Sequence, residues 1–270
     1  MPTAMRSDRI AVVYAAVQRP LYRHVRHAYQ AVANRPYAQK RREFERLLSE
    51  FVRPGCLAFD IGANTGEYTD MLLELGARVV AVEPNPQLAR LVSARYPVAV
   101  VAAAAGAAVG TLDLHLGRDP GHSTLSASWL DVAPTTDRWT GETVAVPVVT
   151  LATLEAAYGP ADFMKVDVEG YEEEVLRGAE RFPAALSFEY QCADLGVAEE
   201  CVRILDGYEF NSAVANETNL VGEWTDSRGI FERIQAHQDC NATGYGDVYA
   251  RHRAPAGEPS RVGSMGPARR

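Results

Sequence analysis

An aspartate at 60, glycines at 62 and 66, and a glutamate at 83 all stand where short apolar segments end, and that pattern suits one kind of recognition. A strand-end carboxylate accepts paired hydrogen bonds from two ribose hydroxyls, while Asp60 or loop carbonyls can face an ammonium group. The set fits a ligand that is cationic at one end and carries a ribose at the other. A dinucleotide fingerprint would want glycine at 62, 64 and 67, but Asn64 and Glu67 occupy the last two, and Glu67 at a helix N-terminus repels a pyrophosphate. No Gly-Lys-Ser/Thr follows the loop, which excludes a P-loop. S-adenosylmethionine has both required parts.

A frame of parallel strands would position these groups. Leu57–Ile61 reads as a short apolar strand with one acid, and residues 62–66 as a tight loop. Tyr68, Met71, Leu72 and Leu75 then share one helical face, and Gly76 stands where a helix-ending glycine belongs. Residues 78–83 read as a second strand. Asn85 can cap the next helix, which starts with Pro86 and buries Leu88, Leu91 and Val92. Two strands joined by a helix cross over right-handedly and bury both sheet faces, so the expected fold is α/β, a Rossmann-like, doubly wound, mainly parallel sheet. Residues 98–105, 162–167 and 186–189 read as further strands, with later ones near 207–213 and 246–251. Between the third and fourth lie a hairpin-like piece around 110–116 and a long irregular stretch, 117–143, of the kind that forms a lid. Residues 1–53 read as a helical N-terminal extension, 54–253 as one domain, and 254–270 as a loose tail rich in Pro, Gly, Ser and Arg.

The 270 residues, 47% hydrophobic and 23% charged, have ordinary globular composition. The net charge of −8 is unevenly placed: +7 over residues 1–53 and −19 over 54–250. So acidic a body argues against a nucleic-acid partner, because neutralising phosphates needs a basic face; the basic extension reads as a solvated helix face. The early apolar run, residues 10–17, is too short to span a bilayer, and the expectation is a soluble, cytoplasmic protein. Cys56, Cys192, Cys201 and Cys240 show no C-x-x-C spacing, so buried free thiols are expected rather than disulfides or a zinc site.

Three segments, each ending a predicted parallel strand, carry a family resemblance: Phe-Asp-Ile-Gly-Ala-Asn-Thr-Gly-Glu-Tyr-Thr at 59–69, Val-Glu-Pro-Asn-Pro at 82–86, and Lys-Val-Asp-Val-Glu-Gly-Tyr-Glu at 165–172, with Val-Leu-Arg-Gly-Ala at 175–179 after the last. Together, over roughly residues 52–190, the chain resembles the FkbM family of S-adenosylmethionine-dependent methyltransferases. The resemblance implies a class I methyltransferase fold with S-adenosylmethionine as cofactor. Its methionine part would be wrapped by residues 60–69, with Asp60, Gly62, Ala63, Asn64 and Gly66 in the loop and Tyr68 and Thr69 at the helix start. Glu83, with Pro84 and Asn85, would hold the ribose, and Ala104, next to Ala103, would lie beside the adenine.

Methyl transfer is an in-line displacement at a sulfonium carbon, so the protein must position an acceptor and, for a hydroxyl, remove its proton. Asp167 and Glu169 end the fourth strand, where ligands bind in such sheets, and strand alternation would put both on one side. Asp167 is the first candidate for a base or acceptor-orienting group, Glu169 the second, and His122 in the long loop the third. Glu172, Glu173 and Glu174 read instead as helix N-terminal charge. Glu189, ending the fifth strand, could approach Asp167 across the sheet; carboxylates of this kind suit magnesium, but a third ligand is unknown, so a divalent metal is possible here but not expected. Lys165, the only lysine after Lys40, reads as structural, its amine reaching a nearby carboxylate or carbonyl. The expected reaction is O-methylation of a small-molecule hydroxyl on a secondary metabolite, sugar or glycolipid. N-methylation of a small amine, and cofactor binding without turnover, are the alternatives.

Overall fold

The computed structural model describes residues 35–132, 138–215 and 217–253. The chain runs from helix α1 (Arg35–Leu48) into β1 (Leu57–Ile61), α2 (Glu67–Glu74), β2 (Arg78–Val82), α3 (Pro86–Arg95) and β3 (Ala99–Val101). After β3 it leaves the main sheet for β4 (Ala104–Ala105), β5 (Gly110–Gly117), a short helix α4 (Ala127–Val132) and β6 (Trp139–Val149). It returns through α5 (Leu151–Tyr158), β7 (Phe163–Val166), α6 (Glu172–Arg177), β8 (Ala185–Gln191), α7 (Leu195–Ile204), β9 (Tyr208–Val214), α8 (Ser227–Cys240) and β10 (Tyr245–His252).

The main sheet has seven strands in the order β3-β2-β1-β7-β8-β10-β9, and β4, β6 and β5 form a second, smaller sheet. In the main sheet β1 pairs in parallel with β2 and β7, β2 with β3, and β7 with β8; β10 runs antiparallel to both β8 and β9. The connection from β1 goes outward through β2 and β3, and the chain then returns to β1's other side as β7. That reversal between β1 and β7 is the crevice where an open α/β sheet binds ligands, outside the carboxyl ends of its strands.

Alternation along the strands decides which face each helix covers. Leu57, Phe59 and Ile61 point into a large apolar cluster with Met164, Leu186 and Phe188 and with residues of α5, α6, α7 and α8. Ala58 and Phe163 point the other way, toward Leu48 of α1 and Met71 and Leu72 of α2. Phe51, just past α1, stacks on Phe163 at 6.0 Å and on Tyr249 at 5.5 Å between centroids. The extension therefore contributes core to one sheet face.

The local signals behind the elements are present. Asn85 caps α3 by accepting from the Gln87 amide at 3.0 Å, with Pro86 in the first turn. Gly76 takes φ +83° just beyond α2.

Two expectations need correction. The apolar run 98–105 is not one strand: β3 stops at Val101, and Ala104 and Ala105 pair with Val148 and Val149 in the small sheet. The stretch 117–143 is not structureless either, because it contains a 3₁₀ turn at Pro120–His122, α4 and the start of β6. The expected tail, 254–270, and most of the expected extension lie outside the described residues. Among the described residues no helix is long and apolar enough to cross a membrane. The four cysteines are free, as expected, but only Cys192 and Cys201 are buried; Cys240 is exposed.

Candidate functional site

The loop after β1 is shaped by close approach. Gly62 has φ +80°, and a Cβ there would stand 1.8 Å from the Asp167 carbonyl oxygen, so only glycine lets this loop touch the end of β7. Gly66 has φ +85°, and a Cβ there would meet the Tyr96 ring at 2.4 Å. Asn64 between them also takes positive φ, +50°.

Glu83 follows β2 and is almost wholly buried. One of its carboxylate oxygens accepts from the Asn64 amide at 2.7 Å and the other from the Asn85 amide at 2.8 Å. The side chain thus ties the first loop to the second and keeps lone pairs for a ligand. Burial pushes its pKa up to about 7, against the two amide hydrogen bonds, which favour the ionised form.

A cavity of about 490 Å³ opens at the crevice between β1 and β7. Among the residues expected at the cofactor, Gly62, Asn64, Glu83, Pro84 and Ala104 line it, with Leu88 and Leu114 supplying apolar wall. The other six expected residues stand behind that wall. Ala63, Gly66 and Asn85 hold the loops in shape. Asp60 is fully buried and accepts a hydrogen bond from the Thr69 hydroxyl, while Tyr68 lies over the Lys165 ammonium at 4.2 Å. Burial raises the Asp60 pKa, with Lys165 opposing.

The acids meet at the far side of the same cavity. Asp167, Glu169 and Glu189 all line it, and each offers a carboxylate oxygen within 4.8 Å of the others. They meet by a different route from the expected strand alternation: β7 ends at Val166, and a turn with Glu169 at φ +56° brings Glu169 back over the cavity. Asp167 accepts from the Lys165 ammonium at 2.6 Å, and Glu169 faces the Arg138 guanidinium at 3.6 Å. Burial, then the charge of Asp167, pushes Glu169 up to about 7 and Glu189 well above the ordinary carboxylate range. Glu169 is the third oxygen donor missing from the sequence reading, so the trio could hold a hard divalent cation such as magnesium, which takes carboxylate oxygens. Two of the three already have a cationic partner of their own.

His122 lines the cavity from the segment 119–125. That segment rests on the loop after β1, since a Cβ on Gly121 would stand 2.3 Å from the Asn64 side-chain nitrogen. It is also tied to the floor, where the Thr124 hydroxyl donates to the Glu169 carbonyl at 2.7 Å. Residues 119–125 thus form a roof over the site. Trp129 is buried against Gly170, below the roof. Glu172, expected only as helix-end charge, is buried and accepts from the Val168 and Gly170 amides, shaping the turn that carries Glu169.

Sequence reasoning passed over Arg138, Thr243 and Tyr245, which also line the cavity. Tyr245 opens the antiparallel strand β10 opposite Gln191 at the end of β8, so the start of an antiparallel strand reaches the edge where parallel strands end. The signal was available in that topology, not in the residue itself.

The chain matches the methyltransferase FkbM domain over residues 60–195, the span that holds the cofactor loop, Glu83 and all three cavity acids. The chain belongs to the FkbM methyltransferase family. As a member it is an S-adenosylmethionine-dependent methyltransferase of class I, Rossmann-like fold, with S-adenosylmethionine as its cofactor. Solved structures with a similar arrangement include a precorrin-6y C5,15-methyltransferase from Geobacter metallireducens, 14% identical, covering 77% of this chain and 85% of the other with a TM-score of 0.39. A TehB-like SAM-dependent methyltransferase from Corynebacterium glutamicum is 12% identical, covering 78% and 88%, with a TM-score of 0.44. A tRNA (uracil-54, C5)-methyltransferase from Pyrococcus abyssi in complex with S-adenosyl-L-homocysteine is 11% identical, covering 79% and 38%, with a TM-score of 0.41. No curated protein sequence matches the chain.

Proposed function

We propose that this FkbM methyltransferase transfers the methyl group of S-adenosylmethionine to a hydroxyl of a small molecule, such as a secondary metabolite, a sugar or a glycolipid. In this reading the cofactor lies along one wall of the cavity. Glu83 accepts hydrogen bonds from the ribose, the loop 62–66 wraps the methionine part, and Ala104 lies by the adenine. The acceptor occupies the side walled by Asp167, Glu169 and Glu189, under His122 and the roof. Its hydroxyl oxygen attacks the methyl carbon as the carbon–sulfur bond breaks. The bonding pair goes to sulfur, leaving S-adenosylhomocysteine, and the hydroxyl proton passes to Asp167. Glu169, with its carboxyl near neutrality, stands next to receive it.

The observation that carries this reading is the position of Asp167. Its backbone carbonyl touches the cofactor loop at Gly62, and its carboxylate lies within reach of two further acids on the acceptor side. A base so placed sits between donor and acceptor. With Arg138 the only Lys or Arg among the described residues that line it, the cavity also suits an uncharged or cationic acceptor better than a polyanion such as nucleic acid.

Asp167→Asn keeps the shape and removes the base. Turnover with methyl-labelled S-adenosylmethionine against a panel of sugars, phenols and amines is expected to fall by about 10²–10⁴-fold, while calorimetric affinity for the cofactor stays within about twofold. A fully active variant would remove Asp167 from the chemistry. Mass spectra of the methylated product then tell oxygen from nitrogen as the acceptor atom.

A further inference from the structure

A buried polar row crosses the sheet face that α1 and α2 cover. Asp60, Lys165, Ser187, Tyr249 and Asn211 stand in register on neighbouring strands β1, β7, β8, β10 and β9. All five are buried. Lys165 carries the positive charge in this row. Its ammonium donates to Asp167 at 2.6 Å and lies 4.2 Å from the centre of the Tyr68 ring, a cation–π contact that fixes a second side of the nitrogen. Phe44 of α1 packs edge-on against the outside of that ring at 6.1 Å. Burial by itself would push the lysine toward its neutral form, but Asp167, Asp60 and Asp247 more than offset it, so the ammonium is held charged.

Burying an ammonium costs several kcal/mol before its partners are counted. Its hydrogen bond goes not to Asp60, its neighbour in the row, but to Asp167, one residue beyond the end of β7. Lys165 is not part of the cavity wall, yet its nitrogen reaches the one carboxylate at the junction of cofactor loop and acceptor side. We propose that Lys165 is a positioning residue for methyl transfer: from beneath the cavity floor, gripped by the face of Tyr68, its ammonium fixes the Asp167 carboxylate in the orientation that meets the acceptor hydroxyl. This rests on the reading of Asp167 given above. Lys165 touches neither cofactor nor acceptor and acts through Asp167 alone.

The chain has only two lysines, Lys40 and Lys165, which makes the ammonium directly observable. Lys40 lies at the surface, about one-third exposed. In full-length protein labelled with ¹⁵N-lysine, one ammonium signal is expected to be shielded from exchange with water, to vanish in Lys165→Met and to shift in Asp167→Asn. The absence of a shielded signal in the unaltered protein would overturn the proposal without any variant having to fold. Kinetics give the second arm, measured with methyl-tritiated S-adenosylmethionine and the fastest acceptor from a panel of sugars, phenols and amino alcohols. Lys165→Met is expected to lower kcat about 100-fold, the effect of a misplaced reacting group. Acceptor KM and the Kd for S-adenosylhomocysteine should stay within about twofold, and Lys165→Arg should recover at least a tenth of the wild-type rate. An unchanged kcat in Lys165→Met beside a slow Asp167→Asn removes Lys165 and leaves Asp167 standing. A fully active Asp167→Asn brings down the reading of Asp167, and this proposal with it.

Discussion

The two faces of the central sheet differ in what they bury. Under α5, α6, α7 and α8 the strands present Phe59, Ile61, Met164, Leu186 and Phe188, a continuous hydrocarbon layer. Under α1 and α2 they present apolar residues at one end and a row of buried polar groups, from Asp60 to Asn211, nearer the site. Hydrophobic burial stabilises the fold on both faces, but only the α1 and α2 face interrupts its apolar cluster, around Leu48, Met71, Leu72 and Phe163, with buried polar groups. Side-chain alternation sets that polar row, with its lysine, apart from the hydrocarbon layer across the sheet.

The sharpest test of that division is Phe188→Ala on the apolar face. Removing so large a buried ring is expected to cost about 3–5 kcal/mol, measured by denaturant unfolding, while the Kd for S-adenosylhomocysteine in native buffer barely moves. Equal losses in stability and affinity would show that the faces are not separable. Glu83→Ala is the converse: cofactor affinity should weaken by about 1–3 kcal/mol, as charge-assisted hydrogen bonds are lost, read by calorimetry.

Glu83 also predicts a pH dependence. With its carboxyl pushed up to about 7 from an ordinary 4.5, the folded chain holds a proton there that the unfolded chain has already released. This group's contribution to stability therefore falls as pH rises from 4.5 through 7 and levels off above. Cofactor binding runs the other way. Ribose hydroxyls need the ionised acceptor, so affinity should tighten between pH 6 and pH 8, and Glu83→Gln should flatten the profile. The smallest expected effect is that of a chelator. Lys165 and Arg138 already stand against Asp167 and Glu169, so ethylenediaminetetraacetate is expected to leave turnover unchanged. Loss of activity restored by magnesium would make the three carboxylates a metal site.

Much of the frame was legible in the chain because its parallel strands are short apolar runs that stop at an acid or a glycine. Leu57–Ile61 and Arg78–Val82 are of this kind; the first has the bounds read from the sequence, and the second stops one residue before the expected Glu83. The small sheet was not legible, for two physical reasons. The run 98–105 is uniformly Ala and Val, so nothing marks the turn at which the chain leaves β3 for a different sheet. The first half of β6 is mostly exposed and holds Gly141, and its second half alternates Val144, Val146 and Val148 only with Ala145 and Pro147, so no polar residue marks the outward face. At the site, Glu83 and Asp167 could be found from their places at strand ends, whereas Arg138 and Tyr245 arrive through pairings between distant segments. The meeting of Asp167 with Glu169 was foreseen for the wrong reason, since a left-handed turn and not a strand pleat brings them together.

The contact between Gly62 and the Asp167 carbonyl has one more implication. Because the two loops touch without room for even a methyl group, the loop after β1 and the turn after β7 form a single mechanical unit. A substitution that reshapes the turn at Asp167 is therefore expected to disturb the loop at Gly62 as well. The roof joins the same unit, since Gly121 rests on Asn64 and the Thr124 hydroxyl is bonded to the Glu169 carbonyl, so a change at any one of the three is felt by the other two.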